Sequence, residues 1–160
     1  VINEILADPP NDATGDLNED GWYDAAEDEF IELVNPSKNP VDIGGWTIAD
    51  DTKVRFTFPQ GAKLPGHGAV VVFGGGDPSA LADTGVLLFV ADDGLRLANE
   101  GDTVVIRSRT GNVVDRMVFG AEANHDRSLV RQVDGKKSAA FVHHPGTPAS
   151  PGTRIDGTLF

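Results

Sequence analysis

The chain has 160 residues, 39% of them hydrophobic and none cysteine, which indicates one globular domain and excludes disulfides, thiolate metal sites and cysteine nucleophiles. No apolar stretch approaches the ~20 residues that a membrane-spanning helix needs. Nearly all of the net charge of -12 lies in residues 1–32, which hold 11 acids and no Lys or Arg; this disfavours charge-driven binding of nucleic acid and favours binding of a cation.

Short runs of β-branched and aromatic residues alternate with Gly and Pro along the chain, as is typical of an all-β domain. The run Ala69–Phe73 is apolar without interruption, which predicts a strand covered on both faces. Nine strands are predicted in all: Val1–Ala7, Phe30–Asn35, Trp46–Ala49, Val54–Phe58, Ala69–Phe73, Val86–Ala91, Thr103–Ser108, Val113–Phe119 and Ser128–Gln132.

The segments between these strands carry turn signals and one weak helix signal. Arg109-Thr110-Gly111-Asn112 predicts a hairpin turn, because Gly and Asn tolerate positive φ. Residues 77–82 predict one or two helical turns, with Asp77 as N-cap and Pro78 at the first helical position. From Ala139 onward, three prolines predict an extended segment that lies over the domain rather than another strand.

About nine strands in 160 residues predict a sandwich of two antiparallel sheets. Residues 1–160 are interpreted as one domain, with an acidic insertion at 8–28 and an extended C-terminal segment at 143–160. Because the chain starts at Val1, we expect a mature or excised piece, so a missing targeting segment indicates nothing about compartment. The period-2 pattern places these residues in the core: Ile5, Ile31, Leu33, Ile43, Trp46, Val71, Phe73, Leu88, Val104, Ile106 and Val118.

Several stretches together carry a family resemblance. The two most specific are Val1-Ile2-Asn3-Glu4-Ile5 and Glu29-Phe30-Ile31-Glu32-Leu33-Val34-Asn35-Pro36. The others are Val41-Asp42-Ile43-Gly44-Gly45-Trp46-Thr47-Ile48, Leu64-Pro65-Gly66, Ser128-Leu129-Val130-Arg131 and Ser150-Pro151-Gly152-Thr153. In these stretches, from Val1 to about Thr153, the chain resembles the lamin tail domain family. The resemblance implies an immunoglobulin-like β-sandwich.

The acidic segment from Asp8 to Asp28 is not part of the animal lamin pattern, and the chain is more similar to prokaryotic members of the family. Those members occur as non-catalytic modules of secreted or cell-surface proteins, sometimes beside nucleases or other hydrolases. The resemblance therefore implies an interaction module and an extracellular or cell-surface location. It implies nothing about a nuclear lamina.

Residues 16–27 fit the twelve-residue calcium loop of EF-hands at every ligand position. Gly21 stands where the loop must turn sharply, and Glu27 stands where both carboxylate oxygens close the coordination shell. The alternative is an ordinary surface loop, which would leave seven acids within residues 16–29 without compensating charge. The predicted Ca²⁺ ligands are Asp16, Asn18, Asp20, the Trp22 carbonyl, Asp24 and Glu27.

EF-hands that act as switches need a helix on each side of the loop, whereas here the flanking segments are predicted strands. Bound Ca²⁺ is therefore expected to stabilise a long connection between strands rather than to drive an opening motion. We expect a Kd between roughly 1 μM and 1 mM, and poor substitution by Mg²⁺ because of its strict octahedral geometry.

Other candidate sites have simpler interpretations. Glu4 and Glu32 would form a carboxylate pair if their strands are neighbours, and we interpret them as hydrogen-bond acceptors because no nucleophile or substrate-binding cluster accompanies them. Gly74-Gly75-Gly76 lacks the Lys and the helix of a phosphate loop, and is interpreted as a turn. The adjacent pair His143-His144 points to opposite faces of an extended chain, which disfavours zinc; His67 and His125 stand apart.

The one basic concentration comprises Arg107, Arg109, Arg116, Arg127 and Arg131. These arginines either share a face that contacts an anionic partner or pair with the nearby Asp102, Asp115 and Asp126, and we favour pairing. Trp22 and Tyr23 are expected at an exposed loop tip and Trp46 in the core.

The sequence thus predicts a calcium-stabilised, non-catalytic interaction module of a secreted or cell-surface protein, with a protein or cell-surface partner and no enzymatic activity. Binding of nucleic acid by the isolated domain is disfavoured. The alternative is an accessory domain that holds substrate for a neighbouring hydrolase or nuclease.

Overall fold

Twelve strands make up almost all of the regular structure in the computed structural model, which describes residues 1–160. Six of them form one sheet in the order β12-β11-β1-β2-β7-β8, four form a second in the order β10-β9-β4-β5, and β3 pairs with β6. Their bounds are β1 Ile2–Leu6, β2 Phe30–Val34, β3 Val41–Asp42, β4 Thr47–Ala49, β5 Val54–Thr57, β6 Lys63–Leu64, β7 Ala69–Phe73, β8 Leu87–Val90, β9 Asp102–Arg107, β10 Val113–Phe119, β11 Leu129–Arg131 and β12 Phe141–His143.

The main core lies between the two large sheets. Ile5 and Ile31, which face each other on β1 and β2, point into it from the six-stranded sheet. Ile48 and Ile106, which face each other on β4 and β9, point into it from the four-stranded sheet. Period-2 alternation thus turns one face of each sheet inward, and the chain is an all-β, immunoglobulin-like sandwich as predicted.

A second, smaller core covers the outer face of the six-stranded sheet. Here Leu6, Phe30 and Phe73 pack with Leu81 from a 3-10 helix and with Ala149 from the C-terminal segment. The rings of Phe30 and Phe73 lie 5.7 Å apart. Because this sheet is covered on both faces, β1, β2 and β7 are buried along their whole length.

On β10, one residue that was predicted to lie in the core is exposed instead. Val118 is 61% exposed, while Met117 and Phe119 point into the core. The register of β10 against β9 shifts between Val113 and Asp115, and this bulge reverses which residues face inward. Trp46 and Leu88, also predicted in the core, are only partly buried and pack against its edges.

The nine predicted strands are all present, but three were missed. β3 and β6 are two residues each, and β12 lies in the segment that was predicted to be extended without pairing. β12 pairs with β11, so the C-terminal segment adds an edge strand. The sheets are also not purely antiparallel, since β7 and β8 run parallel.

The predicted hairpin and helix start are present. Ser108 N–H donates to Asn112 O across the β9–β10 turn, where Gly111 takes a φ of 83°. A 3-10 helix spans Pro78–Thr84, and Asp77 caps it by accepting from Ser79 N–H. No helix in the chain has the length and apolar character to cross a membrane.

Candidate metal-binding loop

The predicted calcium ligands all lie in the connection between β1 and β2, which contains only one short 3-10 helix, at Ala13–Gly15. Within residues 16–27 the acidic side chains fold back on the backbone. Asp16 Oδ2 accepts from Gly21 N–H at 3.0 Å, Asn18 Oδ1 from Asp20 N–H at 2.9 Å, and Asp20 Oδ1 from Trp22 N–H at 2.9 Å. These successive side-chain-to-backbone turns coil the first half of the loop tightly.

The second half of the loop is a single helical turn. Asp24 Oδ1 accepts from Ala26 and Glu27 N–H, and Asp28 N–H donates to Asp24 O. This turn places Glu27 at the exposed end of the loop. The Glu27 carboxylate forms no hydrogen bond or ion pair with the rest of the chain.

Asp28, the last residue of the acidic segment, closes the loop. Its Oδ1 accepts from Leu17 N–H at 2.8 Å and Asn18 N–H at 3.1 Å, and its Oδ2 accepts from Asp24 N–H at 2.9 Å. Burial raises the pKa of Asp28, while these three hydrogen bonds oppose the rise. Asp28 therefore ties the start of the loop to its end without itself being a predicted ligand.

The loop packs on the Gly74-Gly75-Gly76 turn that follows β7. A Cβ at Gly76 would lie 2.1 Å from Asn18 Nδ2 and 2.5 Å from Asp20 Oδ2, and one at Gly75 would lie 2.5 Å from Glu27 Cγ. Gly75 N–H also donates to Glu27 O at 3.0 Å. The three glycines are a turn, as predicted, but no sequence signal indicates that their lack of side chains makes room for the acidic loop.

The predicted ligands differ in how deeply they are buried. Asp16 Oδ1 is buried and has no hydrogen-bond partner, and Asn18 is fully buried. Trp22 is 80% exposed, and Asp24 and Glu27 are exposed. Nowhere in the chain do three His, Asp or Glu side chains gather closely enough to hold a metal ion. The loop thus brings Asn18 and Asp20 together against Gly76, while Asp16 binds the Gly21 backbone and the side chains of Asp24 and Glu27 are exposed.

Glu29, one residue before β2, links the loop to the sandwich core. Its Oε2 accepts from Leu97 N–H at 3.1 Å, and the side chain is buried. Burial raises the pKa of Glu29 to about 7, and the hydrogen bonds from the Leu97 and Arg96 backbone only partly oppose the rise.

Glu4 and Glu32 are acceptors in a closed network, which agrees with their structural interpretation. Glu4 accepts from Ser150 N–H at 2.9 Å and from Ser150 Oγ at 2.6 Å. Glu32 accepts from Asn3 Nδ2 and from Gly152 N–H, both at 2.9 Å. Both carboxyl groups are fully buried and each of their oxygens accepts a hydrogen bond, so they offer no access to a substrate.

The five arginines do not all share one face. Arg131 is buried and donates to Ile2 O at 2.6 Å, lies 3.7 Å from Asp115, and stacks on the Phe141 ring. Arg127 donates to His144 O. Neither Asp102 nor Asp126 pairs with an arginine, so the expected pairing holds only for Asp115.

Arg107, Arg109 and Arg116 are the exposed members of the group. Arg116 approaches Asp51 at 4.0 Å, and Arg107 Nη1 donates to Gly111 O at 3.3 Å. These three guanidinium groups are therefore accessible from solvent at the β9–β10 end of the four-stranded sheet.

The histidines do not converge on a common site. His143 is exposed and its Nε2 contacts Glu122 O at 2.7 Å, whereas His144 is buried beside Thr147 O. Burial lowers the pKa of His144. The rings of His125 and His143 lie 5.1 Å apart, a contact between loop and strand that the sequence did not indicate.

Comparison with known proteins agrees with the fold of the chain. Residues 1–121, from β1 through the end of β10, match the Lamin Tail Domain family. A search of curated proteins finds no match. Lamin tail domains are non-catalytic, immunoglobulin-like interaction modules. The match covers more than half of the chain, and the chain therefore belongs to the lamin tail domain family.

Proposed function

We propose that the chain is a calcium-stabilised interaction module of a secreted or cell-surface protein. The ion would bind the β1–β2 loop through Asp16, Asn18, Asp20, the Trp22 carbonyl, Asp24 and Glu27. The observation that carries the proposal is Asp16 Oδ1, a buried carboxylate oxygen without a hydrogen-bond partner, in the loop that also holds the fully buried Asn18. A buried, unpartnered carboxylate oxygen is costly unless a cation or donor satisfies it.

The chemistry of the donor set fits a hard cation. Four carboxylates, one amide oxygen and one backbone carbonyl supply only oxygen, which Ca²⁺ prefers. Bringing Asp24 and Glu27 inward toward Asp16 and Asp20 would place four negative charges together, and a divalent cation would offset two of them. The exposed carboxylate ends of Asp24 and Glu27 have room for this movement, while the Gly74–Gly76 turn holds the side chains of Asn18 and Asp20 and the backbone of Glu27.

The role of the ion in this proposal is structural. The loop joins two neighbouring central strands, so ordering it stabilises the β1–β2 pair. Because Ca²⁺ would bind the folded loop and hardly the unfolded chain, saturation at 100 Kd adds about 2.7 kcal/mol of stability. A Kd in the range of roughly 1 μM to 1 mM suits the millimolar calcium outside cells, in keeping with the proposed location.

The test is thermal unfolding in EDTA, in millimolar Ca²⁺ and in Mg²⁺. We expect Ca²⁺ to raise the Tm by roughly 5–10 °C, from the stabilisation above and the usual dependence of Tm on free energy for a chain of this size, and Mg²⁺ to do so much less. Glu27→Gln should remove most of the shift. Glu19→Gln is the matched control, because Glu19 lies in the same loop, is exposed and is not a predicted ligand.

An unchanged Tm of the native chain in millimolar Ca²⁺ would refute the site. A calcium shift that survives Glu27→Gln but is lost in a variant of Asp8, Asp12 or Asp28 would instead move the ion elsewhere in the acidic segment.

The second candidate function is an accessory domain that holds a polymer substrate for a neighbouring hydrolase or nuclease. The exposure of Arg107, Arg109 and Arg116 at one end of a sheet supports it. A hydrolase domain encoded in the same polypeptide, together with retention of its polymer substrate by the isolated chain, would favour this function over the first.

A further inference from the structure

The outer face of the four-stranded sheet is built from two rows of residues that cross all four strands. In one row Val54, Ala49, Val105 and Arg116 are successive cross-strand partners from β5 to β10. Directly opposed residues on neighbouring strands share a face, and Ile48, Ile106 and Met117 beside them point into the sandwich core. The row therefore lies on the side away from the core.

The second row repeats this arrangement two residues away on β4 and β9 and, because each has a register shift, three residues away on β5 and β10. It runs through Thr57, Thr47, Arg107 and Val113. Val118 also lies on this face, opposite Thr103. Together the residues form a β-branched surface with two arginines, which we call the Val/Arg face.

The Val/Arg face differs from the outer face of the other sheet. There a 3-10 helix and the C-terminal segment cover the strands and form a second hydrophobic core. Here no hydrophobic cluster forms on the outer side, and three valines remain more than half exposed: Val54 at 51%, Val113 at 52% and Val118 at 61%. They are half of the six large hydrophobic side chains that are strongly exposed in the whole chain. Val113 and Val118 flank Arg116 along β10, Val54 stands on β5 at the opposite edge of the sheet, and Ala49 and Val105 between the two edges are buried. The exposed apolar positions therefore border the arginines on a sheet face that no other element covers.

The charge on the Val/Arg face is opposite to that of the chain as a whole. Arg107 and Arg116 stand within the two rows, and exposed Arg109 follows in the β9–β10 turn. Only Asp51 approaches any of the three, at 4.0 Å from Arg116, so the face is locally basic in a chain of net charge -12. A second copy docked face to face would oppose arginine to arginine, which disfavours self-association.

We infer that the Val/Arg face binds an acidic, valine- or leucine-bearing segment of a protein partner. The inference deepens the proposed interaction function and rests on it. Acidic side chains of the partner would pair with Arg107 and Arg116, and its apolar side chains would cover the exposed valines. A polyanion such as nucleic acid is the less suitable occupant, since it offers nothing to cover Val54, Val113 and Val118 and is repelled by the chain's net charge.

The test uses a fluorescent ten-residue peptide of alternating Glu and Val as probe, with alternating Lys/Val and Glu/Ser peptides, heparin and duplex DNA for comparison. We expect the Glu/Val peptide to bind at least tenfold more tightly than the other two peptides. Binding should fall at least tenfold in Arg107→Glu/Arg116→Glu and several-fold in Val118→Ser. Lys38→Glu/Lys63→Glu is the matched control, because it makes the same change of charge at exposed positions away from the face.

Three results would overturn the inference: no binding of the Glu/Val peptide up to 1 mM, equal loss in the two charge-reversal variants, or binding of heparin or DNA that needs the arginines but not Val118. A dimer that dissociates in Arg107→Glu/Arg116→Glu would assign the face to self-association instead. Amide chemical-shift mapping distinguishes failure of this inference from failure of the proposed interaction function. If the peptide shifts amides on another surface, the chain is still an interaction module, but the Val/Arg face is not its binding site. The calcium site is tested separately, by the effect of Ca²⁺ on the Tm.

Discussion

Glu4 and Glu32 lie directly opposite each other on β1 and β2, both fully buried, and no basic side chain pairs with either. Burial raises the pKa of both carboxyl groups, and repulsion from Glu4 raises that of Glu32 further. The hydrogen bonds that satisfy them come from Asn3 and from the C-terminal residues Ser150 and Gly152. Two acids placed side by side in the interior thus hold the end of the chain against the sheet.

The first prediction concerns stability against pH. A carboxyl group whose pKa is higher in the folded than in the unfolded chain contributes its full stabilisation of the fold at pH values below its unfolded pKa. That contribution is lost as the pH rises through its folded pKa. For Glu29 this window runs from about 4.5 to about 7, and burial likewise raises the pKa of Glu32 well above its usual value. The contribution of Glu29 to the free energy of unfolding in EDTA should therefore fall by about 2–3 kcal/mol between pH 5 and pH 8, while His144, whose pKa is lowered by burial, acts in the opposite direction.

Urea unfolding at the two pH values measures this fall. Glu29→Gln should flatten the dependence between pH 5 and 7, whereas Asp83→Asn, at an exposed position, should leave it unchanged. The same dependence on pH in the native chain and in Glu29→Gln would contradict the assignment of this buried acid.

A second prediction tests the Glu4–Glu32 pair itself. Glu32→Gln loses one of the two acceptors that meet Asn3 Nδ2 and Gly152 N–H, so the variant should be less stable than the native chain at pH 5. Its deficit should shrink or reverse by pH 8, because the neutral amide removes the repulsion with Glu4. A deficit that is equal at both pH values, measured by urea unfolding, would mean that the pair does not titrate in this range.

The third prediction concerns the glycine turn beneath the acidic loop. Gly76→Ala should destabilise the chain by more than the ~1 kcal/mol expected for positive φ alone, since its Cβ would collide with Asn18 and Asp20. Gly61→Ala is the matched control: its φ is 86° and an added Cβ would meet nothing within 4 Å, so it carries only the backbone cost. Equal losses in urea unfolding would show that the loop does not pack there.

The fourth prediction compares two arginine–aspartate pairs. Arg131→Ala should cost about 3–5 kcal/mol, because it removes the donor to the Ile2, Lys137 and Ala139 carbonyls and leaves Lys137, at 3.1 Å, as the one basic partner of buried Asp115. Arg116→Ala, which removes an exposed pair with Asp51, should cost no more than about 1 kcal/mol. Similar losses in the two variants would contradict the central position of Arg131.

The fifth prediction tests the register of β10. Met117→Ala should cost about 2–5 kcal/mol, since the side chain is in the core, while Val118→Ser should stay within about 0.5 kcal/mol of the native chain. If Val118→Ser cost more stability than Met117→Ala, Val118 would face the core, as the sequence predicts, and the observed register of β10 would be wrong.

These residues show what the sequence could and could not predict. Ala69–Phe73 was predicted buried because an unbroken apolar run leaves no polar face. Val118 was placed on the wrong face because a bulge shifts the alternation, and a bulge has no signature in Val113–Phe119 itself. β12 was missed because three residues just before a proline-rich segment carry little strand signal, and its pairing depends on β11, which ends ten residues before it.

The candidate metal-binding loop was likewise predictable from the sequence only in part. The ligand spacing of residues 16–27 follows from the sequence, because a twelve-residue loop with Gly21 at its turn is a local pattern. The closure by Asp28 and the packing on Gly74–Gly76 depend on contacts between β1, β2 and β7 that only the fold creates. The rows of the Val/Arg face likewise require the strand register.

The position of β1 has a consequence for synthesis of the chain on the ribosome. β1 lies between β2 and β11, and its Glu4 is satisfied by Ser150. A nascent chain that has emerged only as far as β10 lacks both the neighbouring strand and the donors for Glu4, so β1 would present an unpaired edge and an unsatisfied buried acid. Completion of the six-stranded sheet must therefore wait for the residues after 128, and vectorial folding of this chain stops short of its native state until its last strands are released.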